Sequence, residues 1–525
     1  MHCVTKDKTC RRKLPQVLAG MTASLLTLDL VMAIGFATVL TAAILNAKQG
    51  LSATTDQMSW IASIAFICQP IGCVISGLLV ESVGRKWAMV IVNIPFLVGW
   101  LLYHFAYSIE LLYAANVILG IGIGFVEAPI MTYTAETCET EVRDILTSIP
   151  GVVVQASFFL VYLTNFLTDW RTAAGINAAL PVFIILYVTQ MPETPIWLLS
   201  RGRHEDALRS LCWLRGWTTP DDVREEFNQL VKYDNDVNKE NLTTTAKTNE
   251  VTDENKHMAY AKCSNEREAS KGDDEIQEDT QQSQTQDYNP KPHNFLKTDK
   301  GVPHSWLVRC KGLLKPPTLR PLALVVTFFS VLHFGGITSM RPFMIHVFHL
   351  LGMKDEASWI TVGLAGVSIL GSTCTVVTVK WLGKRFLTLA STCPCAVAYL
   401  LLGVYSYVVL GPGGASDYAR TWMPLTLMTV IFFFNSVIGQ IPWMLLCEVF
   451  PFRTRAIASG LASALCYAFI FTASKSYLHL EQSLELHGVF WLFCVINCVG
   501  FAFLYRKMPE TEGKSLAEIE IYFSS

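Results

Sequence analysis

The chain has 525 residues, of which 51% are hydrophobic and 16% charged; a soluble protein would carry about 25% charged residues. Its formal net charge of −2 excludes the basic footprint that nucleic-acid binding requires, so no nucleic-acid partner is expected. The 15 cysteines show neither metal-ligand nor disulfide spacing. No nucleophile–base motif and no phosphate loop occurs, so the sequence predicts no enzyme: no catalytic residues, no metal and no cofactor.

The missing charges are gathered into long runs. After a basic opening (1–13), the apolar stretch Leu14 to Ala47 is too long for the core of a cleaved signal and reads as a first membrane crossing. Ile61 to Val80, Trp87 to Tyr107, Leu111 to Ala135, Ile145 to Leu167 and Ala173 to Met191 follow. Beyond a polar central segment come Leu322 to Phe348, Trp359 to Val379, Phe386 to Leu410, Trp422 to Cys447, Ile457 to Ala473 and Val489 to Tyr505. About 20 apolar residues span a ~30 Å hydrocarbon layer as a helix, and lipid offers no partner to an unpaired amide. The predicted fold is therefore all-α and integral to the membrane, with twelve transmembrane helices in two six-helix bundles and amphipathic helices on the cytoplasmic side. The expected divisions are a tail (1–13), a first bundle (14–191), a central loop (192–318), a second bundle (319–507) and a closing tail (508–525).

Within the loop, Ala207, Leu208, Leu211 and Leu214 recur at helical spacing. Residues 234–287 are strongly acidic and poor in apolar side chains, so disorder is expected there. Lys and Arg cluster in alternate short loops, which places both termini in the cytoplasm of a multi-pass plasma-membrane protein. Asn241-Leu242-Thr243 would then be a silent glycosylation match.

A three-part signature appears once in each half. Gly84-Arg85-Lys86 is matched by Gly383-Lys384-Arg385, Glu136 with Arg143 by Glu448 with Arg455, and Met191-Pro192-Glu193-Thr194 by Met508-Pro509-Glu510-Thr511. Such duplication points to a membrane transporter. The charged groups read either as solvated helix ends or as latches: Glu81, Arg85, Glu136, Arg143 and Glu193 in one half, and Lys384, Arg385, Glu448, Arg453, Arg455 and Glu510 in the other. Exposed pairs are worth ~0–1 kcal/mol each, so only networks that form in one state would bias a rocking equilibrium.

These residues resemble the sugar porter family of the major facilitator superfamily. The resemblance rests on Gly77 to Lys86, on Gly120-Ile-Gly-Ile-Gly124 through Pro129, Tyr133 and Glu136, on Trp170-Arg171, on Pro192 to Arg203, on Ile441 to Arg455 and on Met508 to Glu520. It covers nearly the whole chain apart from the tail of the central loop, with Glu81 where Asp is usual and Glu512 where Lys is usual. The fourth crossing is most similar to that of insect facilitated trehalose transporters. The resemblance implies a sugar held at mid-membrane between the halves, with Gln155 and Trp443 at binding positions. A helix broken near Gly439 and Pro442 would set Trp443 at the site rather than at the lipid interface.

Crossing seven departs from the family: Leu332, His333 and Thr338 replace two Gln and an Asn, Asn435 replaces a Glu, and Cys466-Tyr467 an Asn-Trp pair. One lost amide partner can cost ~1–3 kcal/mol. A hexose, a trehalose-like disaccharide, a polyol, or a lost transport activity all fit, with Gln155, His333, Thr338, Asn435 and Trp443 as candidate binding residues. Proton-driven members hold an Asp and an Arg where this chain has Ala37 and Asn116, so facilitative transport is expected. Asp29 and Glu127 keep a proton-coupled symporter open, and a non-transporting sugar sensor of the same fold is a third reading. Arg341, before Pro342, would break crossing seven and gate its outer mouth or snorkel. The Gly120/Gly122/Gly124 repeat reads as close helix packing. The expected partners are a small sugar or polyol and the lipid bilayer, and a single chain suffices for the activity.

Overall fold

Lipid leaves the backbone only itself to bond with, and the described chain is helical almost throughout. The structure, a computed structural model, describes residues 2–45, 51–139, 149–232, 316–409, 422–450, 455–514 and 516–524. The first half comprises α1 (His2–Leu45), α2 (Thr55–Val83), α3 (Arg85–Ile91), α4 (Asn93–His104), α5 (Ile109–Thr137), α6 (Pro150–Leu167), α7 (Trp170–Asn177) and α8 (Ala179–Thr189). Two short helices follow, α9 (Pro195–Ser200) and the amphipathic α10 (His204–Leu214). The second half holds α11 (Pro316–Phe334), α12 (Ile337–Met340), a 3-10 turn (Arg341–Phe343), α13 (Met344–Leu350), α14 (Ala357–Leu382), α15 (Lys384–Val409), α16 (Trp422–Glu448), α17 (Arg455–Lys507) and α18 (Leu516–Ser524). The described residues up to Val223 and from Pro316 onward form one compact unit; residues 224–232, also helical, belong to another.

Side-chain chemistry sets several helix starts. Thr54 and Gln57 form a reciprocal capping box at α2, Ser108 caps α5 and Asp169 caps α7. Among the described residues ten helices are long and apolar enough to cross a membrane, or eleven with α11 and α12–α13, bent by 47°, counted as one span. α17 has 53 residues with a non-helical break at Glu485 (φ 56°, ψ 171°). At ~1.5 Å per residue it is more than twice a ~30 Å hydrocarbon layer. It is long enough for two spans meeting at that break, consistent with twelve. Ile67, Ile71, Val74 and Leu78 on α2, and Leu400, Val404 and Val408 on α15, are exposed stripes that suit lipid.

Of two expected breaks one is absent, and the other, a 3-10 turn at Arg341–Phe343, follows a sharper bend. α16 continues through Gly439 and Pro442; a proline removes one amide, and packing around the buried turn holds the helix together. Crossing seven bends before Arg341, at Gly335-Gly336, where Gly336 has φ +132° and its Cα faces the Tyr399 ring. Arg341 itself opens the 3-10 turn. The glycines of α5 act as contact points: a Cβ on Gly120 would strike the Ala65 carbonyl, and one on Gly124 the Gln69 carbonyl, so α2 and α5 touch backbone to backbone.

Candidate functional site

The duplicated signature folds into two matching turns on one side of the molecule, here the basic side. Gly84 (φ 95°, ψ 169°) ends α2, and the Arg85 and Lys86 amides then donate to Glu193 Oε1 at 3.0 and 3.1 Å. A Cβ on Gly84 would collide with that carboxylate. Gly383 (φ 77°, ψ 157°) ends α14, and the Lys384 and Arg385 amides donate to Glu510 at 3.1 and 3.0 Å. Each Glu thus serves as the anion at a helix N-terminus. Burial pushes the Glu193 carboxyl above its ordinary value, while amide hydrogen bonds from Thr194, Lys86 and Arg85 pull it back.

The remaining charges close around these turns. Arg85 binds Glu136 Oε1 through Nη2 (2.6 Å) and Nε (3.1 Å), and Thr194 Oγ1 donates to Glu136 Oε2 at 2.6 Å. In the other half Lys384 Nζ binds Glu448 at 2.9 Å and Glu512 at 2.6 Å, and Thr511 Oγ1 donates to Glu448 at 3.0 Å. Among the described residues each cluster closes within its own half. Arg385 turns its guanidinium away, onto the Tyr505 carbonyl at 2.7 Å and the Tyr505 ring. The Glu81 carboxylate is exposed and makes no ion pair among the described residues; its carbonyl accepts from Trp197 and Arg201. Arg143 and Arg453 lie outside the described residues, as does the side chain of Arg455. Sequence reasoning missed Thr194, Thr511 and Glu512, although the Thr after each Glu was itself part of the repeat.

Between the halves lies a polar set on α6, α11, α16 and α17. Gln155, Phe158 and Tyr162 share one face of α6 by their spacing, and the Gln155 Oε1 is buried without a partner. His333 stacks on Phe329 at 6.0 Å, and Trp443 meets the same ring edge-on at 5.1 Å. Both nitrogens of His333 are engaged, Nδ1 with Thr338 Oγ1 (3.2 Å) and Nε2 with Cys466 Sγ (3.0 Å). Asn435 is half-buried and makes no hydrogen bond among the described residues. Gln440, which the sequence reading passed over, has a buried unpaired Oε1 against Gly151 of α6. A lone amide in an apolar run was the available signal. The two intramembrane acids sit in the first half: Asp29 Oδ1 accepts from Trp100 Nε1 at 2.9 Å, and Glu127 accepts from the Cys73 thiol at 3.6 Å.

Side-chain ties across the seam gather on the side opposite the clusters, where α1 ends and α2 starts. Lys475 Nζ of α17 binds Asp56 at 2.6 Å and Ser59 at 2.7 Å and lies 4.3 Å from the Trp60 ring. Gln482 reaches Thr55 at 3.3 Å. Thr38 donates to the Arg341 carbonyl at 2.9 Å, Thr41 to that of Pro342, and the Arg341 guanidinium covers the Phe158 ring at 3.9 Å.

Two internally fastened halves around a polar seam agree with the comparison to known families. The family described as "Sugar (and other) transporter" matches residues 31–261 and again 255–523. The chain belongs to the sugar (and other) transporter family. As a member it is a multi-pass membrane transporter for small-molecule sugars rather than an enzyme. The chain is similar to the facilitated trehalose transporter Tret1 of Polypedilum vanderplanki, 26% identical over 96% of this chain and 87% of the relative. It is similar also to that of Bombyx mori, 25% identical over 97% and 87%. Among solved structures, the proton:xylose symporter XylE bound to 6-bromo-6-deoxy-D-glucose has a TM-score of 0.66 at 17% identity, over 98% of this chain and 100% of that one. The inward open xylose transporter XylE from E. coli gives 0.65 at 16%, over 97% and 98%. These structures establish the major facilitator fold.

Proposed function

We propose that the chain is a facilitative carrier working by alternating access, taking a hexose, a trehalose-like disaccharide or a polyol across the plasma membrane with both termini cytoplasmic. The observation that carries this reading is the pattern of fastening: each ion cluster binds its own half, while side-chain ties across the seam gather on the opposite side. Bundles 14–191 and 319–507 then move as rigid bodies about the seam, joined by 192–318. Gln155, Asn435 and Trp443 present unspent amides and an aromatic edge to a hydroxyl-rich ligand, while His333 and Thr338 shape the wall. The name of the relatives, facilitated trehalose transporters, supports uniport. A second reading, proton-coupled symport, is favoured by Glu127, a carboxylate held between two membrane-spanning helices by one thiol.

The test is uptake of labelled trehalose, glucose and myo-inositol into vesicles holding the full chain, with and without a pH gradient. Saturable uptake indifferent to the gradient is expected. Accumulation driven by the gradient would establish symport instead, and no uptake of any of the three would count against a carrier of these neutral solutes.

A further inference from the structure

Arg341 is the feature of the seam that a neutral sugar does not explain. Its guanidinium lies 3.9 Å from the centre of the Phe158 ring and makes no hydrogen bond or ion pair among the described residues. Its neighbours Phe158, Tyr162 and Thr38 are buried, whereas Arg341 keeps some accessible surface. None of the acidic side chains named in the spans pairs with Arg341: Asp29 accepts from Trp100 and Glu127 from Cys73, Asp56 pairs with Lys475 and Glu481 with His346. A cation taken out of water is costly unless an anion meets it, and inside a membrane such a group marks a solute path.

The same seam has lost neutral-sugar partners. Thr338 and Cys466, at positions where the resemblance implies amides, are bound to the two nitrogens of His333. The unpaired amide of Gln155 remains, three residues from Phe158 on one face of α6, which is about 5 Å along the helix. Guanidinium is planar and donates two parallel hydrogen bonds to a carboxylate, and the Phe158 ring holds it at the seam. Building on the carrier reading, we infer that the solute carries a carboxylate: a polyhydroxy acid such as a uronate or an aldonate, its anionic end on Arg341 and its hydroxyls toward Gln155.

The full chain in proteoliposomes should take up labelled D-glucuronate saturably. Gluconate should compete and sorbitol should not. Arg341→Gln should weaken half-saturation for glucuronate by about tenfold or more, the scale of lost hydrogen bonds to a charged group, and by clearly more than it changes half-saturation for glucose. Arg341→Lys, which keeps the charge but not the fork, should fall between. Glucose uptake with neither transport of nor competition by glucuronate would overturn the inference and leave the carrier reading standing. So would equal handling of both solutes by the wild type and Arg341→Gln. Failure of the wild type to take up any solute would remove both readings. The competition data need only the wild type, so they decide even if the Arg341→Gln protein does not fold.

Discussion

Gly84 and Gly383 hold backbone angles, φ 95° with ψ 169° and φ 77° with ψ 157°, in a region almost closed to residues bearing a Cβ. Each also leaves the space that the following Glu carboxylate fills. Gly84→Ala and Gly383→Ala should therefore each destabilise the protein by about 1–3 kcal/mol, read as a lower unfolding temperature in detergent. An unchanged melting curve for either would mean that the turn is not held as described. The repeat made both glycines conspicuous in the sequence. That Glu193 and Glu510 bind backbone amides rather than the nearby cations was not visible there, because an acceptor's choice depends on which donors the turn aims at it. His333 is similar: its substitution for a family Gln was legible, while the loss of both nitrogens to Thr338 and Cys466 needed helices α11, α12 and α17 in place.

Helix breaks do not follow composition alone. Pro442 lies inside a continuous α16, whereas crossing seven bends at Gly335-Gly336, and α17 breaks at Glu485, itself neither proline nor glycine. Glu485 is exposed with positive φ, a strained position for a side chain. Glu485→Gly should remove that strain and stabilise the protein by about 1 kcal/mol after the extra backbone entropy of glycine. Thermal unfolding of the variant would show it, and a lowered midpoint would mean that Glu485 supports the junction through its side chain. Spans with strong hydrophobic runs were legible with their approximate ends. Their joints were not, because a joint is set by the packing of both flanking helices rather than by the residue at the corner.

At the scale of the whole molecule the seam is tied by Lys475 with Asp56, Ser59 and Trp60, and by Thr38 and Thr41 with the Arg341 turn. Asp56→Asn and Lys475→Gln should each loosen that side, and the double variant should do little more than either single one, since both remove one tie. Faster hydrogen exchange at the start of α2 and the middle of α17 is the readout. Additive effects of the two changes would show that the ions act separately. The clusters of Arg85 and Lys384 should be unaffected, as each closes inside its own half.

The helical membrane class, the duplication and the family were all present in the linear chain. Bilayer thickness imposes run length, and a repeated unit repeats its letters, so neither depends on contacts between distant residues. Partnership among charges was decided in three dimensions. The sequence offered several cations to each acid within its half, and among the described residues Glu136 takes Arg85 and Glu448 takes Lys384, because the nearest cation is fixed by how the turn after Gly84 or Gly383 is held. Arg341 likewise gained its meaning only when Phe158 was beneath it and the acids named in the spans were seen to bond elsewhere.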